Sequence, residues 1–215
     1  MPKLTRGVVI AVEGIDGSGK STLAKNLAAT LTTVSYPVLL TKEPGATSLG
    51  KQIRTIVQEH KEPINFKAEF LLYAADRAQH WHELILPNKA HNKLIISDRM
   101  SDSSLVYQGY GRSLSIEYIQ CINSWVMDNQ KPDLTLYVKV DVETALTRIR
   151  VRNEKLTRFE QEKKEFFERL SNGFDTLYQQ RTDVFIIDGH QPIETITNQA
   201  TAQVVTWIKH NNLLI

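Results

Sequence analysis

The stretch Gly14-Ile15-Asp16-Gly17-Ser18-Gly19-Lys20-Ser21-Thr22 constrains this chain most. It fits the pattern G-x-x-x-x-G-K-[ST], a P-loop whose backbone cradles phosphate groups. Such a loop belongs between a buried strand and a helix. Val8-Val9-Ile10-Ala11-Val12 before it is an apolar, β-branched run suited to a parallel strand covered on both faces. Leu23, Ala24, Leu27 and Ala28 after it recur at helical spacing. Gly14, Gly17 and Gly19 let the backbone bend so that its N–H groups point at one spot. The positive N-terminal end of the following helix falls at the same place. Lys20 supplies a mobile cation for β- and γ-phosphates, and the Ser21 hydroxyl can ligate Mg²⁺. The whole loop, Gly14 to Thr22, is therefore expected to bind a nucleoside triphosphate.

The 215 residues suit a single α/β domain spanning 1–215. A net charge of +2 makes no case for a nucleic-acid partner. The longest apolar runs are strand-sized, so no membrane span is expected. The run after Met1-Pro2-Lys3-Leu4-Thr5-Arg6 is too short for a secretory signal, and Glu13 ends it. Cys121 is the single cysteine and cannot form an internal disulfide; its neighbours Ile119, Ile122, Trp125 and Val126 make it a buried small hydrophobe. These features point to the cytoplasm.

In chain order, strands are expected at Gly7–Glu13, Pro37–Lys42, Leu94–Ser97, Leu134–Val140 and Val184–Ile187. Helices are expected at Lys20–Leu31, Ser48–Glu59, Phe66–Leu86 with Pro87 closing it, Ser115–Asn129, Val142–Arg152, Phe159–Gln180 and Ile193–His210. A short helical turn is expected at Ser103–Gln108, broken by Gly109 and Gly111. Alternating strands and helices imply a five-stranded parallel sheet with helices on both faces. Ligands in such sheets collect beyond the carboxyl ends of the strands. Glu13 to Ser21, Lys42-Glu43-Pro44, Asp98-Arg99 and Asp188 are expected there.

Asp98 follows an apolar strand, the place of an acidic residue that helps hold Mg²⁺, and Arg99 beside it can clamp a phosphate bidentately. Arg148, Arg150, Arg152, Lys155 and Arg158 make a basic run, with Asn153-Glu154-Lys155 interrupting the apolar pattern between two helices. A charge run is usually a solvated face. The alternative is a lid over roughly 148–160. Gly17 and Ser18 leave the P-loop without an arginine, so a cation for the transferring phosphoryl must come from elsewhere, and the lid is the best source. Tyr73 and Arg77, four apart on one helix, share a face. On spacing alone they read as a core tyrosine beside a surface arginine. His80 and His82 point different ways and form no metal site. A guanine-binding switch would want Asn-Lys-x-Asp; the nearest stretch, Asn88-Lys89-Ala90-His91, lacks the aspartate.

Taken together these stretches resemble the thymidylate kinase family along nearly the whole chain. The resemblance rests on Glu13 to Thr22, Thr41-Lys42-Glu43-Pro44-Gly45, Leu72 to Gln79, Asp98-Arg99 with Ser103 and Tyr107-Gln108-Gly109, Pro132 to Thr135, and Thr157 to Glu162. It implies the P-loop nucleoside monophosphate kinase fold with a short lid, and transfer of the γ-phosphoryl of ATP to dTMP with Mg²⁺. It implies a homodimer with no nucleic-acid or membrane partner. Asp16 is similar to the acid that contacts the deoxyribose 3′-hydroxyl. Tyr73 matches the aromatic that stacks on thymine, and Arg77 the residue at the base edge. Ser103 and Gln108 match further base contacts, and Arg99 the arginine on the acceptor phosphate. Glu43 and Arg54 align with residues of the same dTMP pocket. Relatives without a P-loop arginine carry it in the lid, which nominates Arg148, Arg152 or Arg158 beside Lys20 and Arg99 as catalytic. The chain departs from the family in several places. Lys42 and Met100 stand where arginine and an aromatic or histidine are usual, which implies weaker selection among dUMP and ribonucleotides. Tyr73 replaces phenylalanine, and Thr157 replaces a lid aspartate.

Overall fold

The structure, a computed structural model, describes residues 3–152 and 155–215. Its strands are β1 (Val8–Glu13), β2 (Val38–Lys42), β3 (Leu94–Asp98), β4 (Leu134–Lys139) and β5 (Val184–Asp188). They form one all-parallel sheet in the order β2-β3-β1-β4-β5. The helices are α1 (Lys20–Thr33), α2 (Ser48–Glu59), α3 (Phe66–His80), α4 (Leu86–Ala90), α5 (Ser101–Ser104), α6 (Ile116–Val126), α7 (Val142–Val151), α8 (Lys164–Tyr178) and α9 (Ile193–His210).

The central strand explains the layers. β1 is buried along its whole length, and its side chains alternate between faces. Val8, Ile10 and Val12 pack with Leu23, Leu27 and Leu31 of α1 and with Ile196, Ala200, Val204 and Ile208 of α9. Val9 and Ala11 face the other way, into a cluster with Trp81, Ile85, Met100 and Met127. Because β1 lies between β3 and β4, the P-loop leaves the sheet where the crossovers diverge, the place where open α/β sheets bind ligands. The register sets Val12 beside Asp98 and Lys42 beside Asp98, so three strand ends meet there.

Helix starts follow from capping. Thr47 Oγ1 accepts from Gly50 N at 2.9 Å to open α2, and Asp141 accepts from Thr144 N at 2.8 Å to open α7. Among the described residues, no helix is long and apolar enough to cross a membrane.

The structure corrects several expected elements. Pro87 does not close the third helix. The chain passes through a π-helical turn, Trp81–Ile85, and continues as α4 with Pro87 in its first turn, where a proline's missing N–H is not needed. The expected short turn at Ser103–Gln108 is α5 followed by a π-helical stretch, Leu105–Gly111, that contains both glycines. Gly111 serves packing there: a Cβ would meet Phe166 and Leu170 of α8 at 2.8 and 2.9 Å. The eighth helix starts at Lys164, not Phe159, because residues 157–160 close a turn of their own. Thr157 N donates to Glu160 Oε2 at 2.8 Å, and Glu160 N donates to Thr157 Oγ1 at 3.3 Å. Cys121 is exposed rather than buried. The Tyr73–Trp81 helix face is core, with Ala74, Arg77, His80 and Trp81 all buried. Met1 and Pro2, and Asn153 and Glu154 of the expected lid stretch, lie outside the described residues.

One contact fixes how the lid helix sits. Gly17 has φ 81°, and a Cβ there would overlap the carbonyl oxygen of Ala145 on α7. Gly17→Ala should therefore push α7 off the loop at a cost of about 1–3 kcal/mol. For a chain of this size that is roughly 2–12 °C in melting temperature. Thermal unfolding checks it, and an unchanged melting temperature would contradict the close packing.

Candidate active site

A cleft of about 750 Å³ opens beyond the ends of β1, β2 and β3. Asp16, Gly17, Gly19, Lys20, Ser21 and Thr22 line its floor. Gly14, Ile15 and Ser18, expected among the nucleotide contacts, are not among the residues that line the cleft. Ile15 packs with Val106 and Tyr137, Ser18 is fully buried, and Gly14 turns its carbonyl to Arg99.

Arg99 ties this floor to β3. Its NH1 donates to Gly14 O and Ser103 Oγ, both at 3.0 Å, and its NH2 to Asp16 Oδ1 at 2.6 Å and Tyr107 Oη at 2.9 Å. Tyr107 Oη in turn donates to Asp16 Oδ2 at 3.0 Å. Lys20 Nζ stands 3.4 Å from Asp16 Oδ1. Burial would raise the Asp16 carboxyl, but Arg99, Lys20 and Tyr107 outweigh it and hold the group well below the usual carboxylate range. Burial and the Arg99 charge push Lys20 down, against Asp16 and Asp98. Arg99 has φ 72°, a left-handed conformation that a non-glycine residue rarely keeps without surrounding support.

That support includes Glu13, a residue that stands in the expected stretch but to which the sequence gives no task. Glu13 is fully buried at the end of β1. Its Oε1 accepts from Met100 N at 2.7 Å and its Oε2 from the Ser103 hydroxyl at 2.6 Å. Burial and the neighbouring Asp102 raise its pKa to about 7, with Arg99 opposing.

The far end of the cleft carries Tyr73, Arg77, Ser103, Gln108 and Arg54. Arg77 is not a surface arginine. Nε donates to Glu43 Oε2 at 2.8 Å, NH1 to Ser104 Oγ at 3.1 Å and Asn123 Oδ1 at 2.7 Å, and NH2 to Met100 O at 3.2 Å. Most of its donors are therefore spent inside the protein. Glu43 does not offer a free carboxylate either: Arg77 takes one oxygen, and His80 Nδ1 donates to the other at 2.9 Å. His80 Nε2 meets Thr41 Oγ1 at 2.7 Å. Burial would raise Glu43, and Arg77 and His80 bring it below its ordinary value. Arg54 NH1 donates to Pro44 O at 3.1 Å, from the rim. Met100 has no exposed surface, and its side chain belongs to the apolar cluster under the sheet.

The basic run divides. Arg148 lines the cleft, with NH1 donating to Ser18 O at 3.3 Å and NH2 to Gly189 O at 2.9 Å. Arg152 lines it too, with NH2 donating to Glu160 Oε1 at 2.8 Å. Arg158 does not line the cleft. Its NH2 reaches Ile64 O at 3.5 Å and its NH1 lies 3.8 Å from Glu69 Oε2, because the turn at 157–160 carries it toward α3. Asp188, expected at the ligand end, is an exposed residue bonded to His190. Asp98 and Ser21 both line the cleft, and Asp98 Oδ1 is buried without a hydrogen-bond partner among the described residues. A carboxylate oxygen left so, in a cleft that also carries a hydroxyl, is the kind of oxygen donor that suits a hard cation.

Sequence reasoning gave no role to Glu13, Tyr107, Glu69 or to Ser104 and Asn123, which help hold Arg77. Glu13 carries one visible signal, an acidic residue ending a wholly apolar strand.

The family model described as thymidylate kinase matches residues 12–200. A thymidylate kinase of Halothermothrix orenii is 42% identical over 183 residues, covering 84% of this chain and 88% of the relative. One from Exiguobacterium sibiricum is 37% identical over 210 residues, covering 97% and 99%. The crystal structure of thymidylate kinase from Ehrlichia chaffeensis superposes with a TM-score of 0.76 at 28% identity, covering 93% of this chain and 98% of that one.

Two carboxyls give opposite pH signatures. Asp16 titrates lower when folded than its ordinary 3.8, so its stabilisation is complete above that pH and is lost as pH falls through the folded value. Glu13 keeps a proton when folded that the unfolded chain surrenders, so stability declines as pH rises from 4.5 to about 7. Urea unfolding from about pH 5 to 8 should show wild-type stability falling relative to Glu13→Gln. Parallel curves would contradict the assignment.

Proposed function

The chain belongs to the thymidylate kinase family, and from that premise we propose that its cleft passes the γ-phosphoryl of ATP to thymidine 5′-monophosphate. The products are ADP and dTDP, a step of dTTP biosynthesis. One observation supports this most: Lys20, Arg99, Arg148 and Arg152, from separate parts of the chain, line a single cleft that ends at Tyr73 and Gln108.

The acceptor phosphate needs no general base, since its second pKa is near ~6 and it is largely a dianion at neutral pH. The barrier is repulsion between two anions, which fixed cations relieve. Lys20 bonds the β- and γ-phosphates. Arg99 exchanges part of its Asp16 contact for the acceptor phosphate, while Asp16 turns to the sugar 3′-hydroxyl. Arg148 and Arg152 stabilise charge on the transferring group. Arg158 acts at a distance, holding the turn at 157–160 against α3. Tyr73 stacks the base, and Arg77, Ser103 and Gln108 face its edge; Glu43 holds Arg77, and Arg54 guards the entrance. Asp98 and Ser21 would hold Mg²⁺, which when bound neutralises charge on the β- and γ-phosphates. The segment around 148–160 works as a lid on a single domain and excludes water, limiting ATP hydrolysis.

We read the protein as a cytoplasmic homodimer without nucleic-acid or membrane partners. The +2 charge and lone cysteine support the first and last parts of this reading. The packed pair α3 and α6 supports the dimer, because it leaves Leu71, Tyr118 and Trp125 exposed at 53%, 75% and 76%.

ADP formation from ATP and Mg²⁺ with dTMP, dUMP, UMP, dGMP and AMP in parallel tests the reading. Strong preference for dTMP is expected; comparable turnover of dUMP or UMP would point to Lys42 and Met100, which both line the cleft. Lys20→Ala and Arg148→Ala should each lower kcat by ~10²-fold or more in folded protein, and Arg158→Ala by much less. Wild-type turnover in Lys20→Ala would overturn the P-loop role.

A further inference from the structure

Glu69 lies on α3 one turn before Tyr73 and is fully buried. It is not among the residues that line the cleft. Its Oε1 accepts from Gln108 Nε2 at 3.0 Å. Arg112 Nε stands 3.7 Å from the same oxygen, and Arg158 NH1 stands 3.8 Å from Oε2. A carboxylate flanked by two guanidinium groups offers acceptors only. Gln108 must therefore turn its amino group toward Glu69. Its carbonyl Oε1 takes no donor among the described residues, and Gln108 lines the cleft.

We propose that Glu69 is a positioning residue that sets base specificity, locking the Gln108 amide with its carbonyl toward the ligand. This rests on the reading that the base lies between Tyr73 and Gln108. A fixed carbonyl pairs with a base edge that carries a hydrogen on N3, as thymine and uracil do. Cytosine presents an unprotonated N3 there, so two lone pairs would face each other. An unrestrained glutamine could rotate its amide by half a turn and accept either base. Glu69 removes that freedom, so the selectivity comes from a residue that never touches the ligand. An unpaired buried acceptor of this kind is worth roughly 10- to 100-fold in discrimination.

Glu69→Gln keeps the shape but can donate to Gln108 Oε1, freeing the amide to turn. Initial rates with dTMP and dCMP, for wild type and variant, give the ratio of kcat/KM values. The dTMP-over-dCMP ratio should fall at least ~10-fold in the variant, with dCMP gaining, whereas a merely structural defect lowers both together. Calorimetric binding of the two nucleotides reads the same ratio if turnover is slow. In wild type, the Gln108 side-chain amino protons, assigned by their loss in Gln108→Leu, should exchange slowly with solvent and keep their NMR shifts when dTMP binds. An unchanged ratio in the variant, or fast-exchanging amino protons, would overturn the role of Glu69 while leaving the kinase reading intact. A wild type with no preference for dTMP over dCMP would overturn the reading beneath it as well.

Discussion

The structure turns on the ion pair between Asp16 and Arg99. Asp16 belongs to the P-loop and Arg99 to the end of β3, so the 2.6 Å contact joins two elements that line the cleft. The pair is mostly withdrawn from water, with side-chain exposures of 14% for Arg99 and 21% for Asp16. Buried charges persist when hydrogen bonds satisfy them, and here Tyr107, Ser103 and Gly14 do so. The left-handed backbone at Arg99 is held by Arg99 N donating to Val12 O at 3.0 Å and by Glu13 under Met100. An arginine so restrained is presented to an incoming anion with little loss of side-chain freedom. Asp16 keeps it company until that anion arrives.

A second constraint shapes the cation supply. At Gly17 the loop and α7 approach until no side chain fits between them. The same contact that denies the loop an arginine brings α7 close enough for Arg148 to bond Ser18 O. The position of the charge is thereby transferred from loop to helix. The lid turn at 157–160 adds a carboxylate, Glu160, that Thr157 caps and Arg152 binds. The Thr157 hydroxyl accepts from Glu160 N, closing the turn from its first residue.

Much of this was legible in the chain because it is local. Five strands, their parallel order class and the P-loop follow from apolar runs, glycine spacing and strand–helix alternation. The π-helical stretch Leu105–Gly111 was not legible, since its glycines read as breakers until α8 is seen packed on Gly111. The start of the eighth helix was missed because Phe159 and Phe166 continue an apolar pattern across a turn set by Thr157 and Glu160. Cys121 looked buried from its apolar neighbours, yet α6 turns Cys121, Tyr118 and Trp125 outward. The partners of Arg77 lie 23 to 46 residues away in sequence, and no spacing rule reaches across that distance. Arg158 shares its charge with Arg148 and Arg152, but only the folded turn reveals that it faces α3.

The measurement that bears most directly on this account separates all nucleotides after incubating the protein with ATP, Mg²⁺ and dTMP. Dianion-to-dianion transfer in a closed cleft predicts dTDP and ADP rising in equal amounts, with ADP at background when dTMP is left out. ADP forming at the same rate without dTMP, or without matching dTDP, would contradict it.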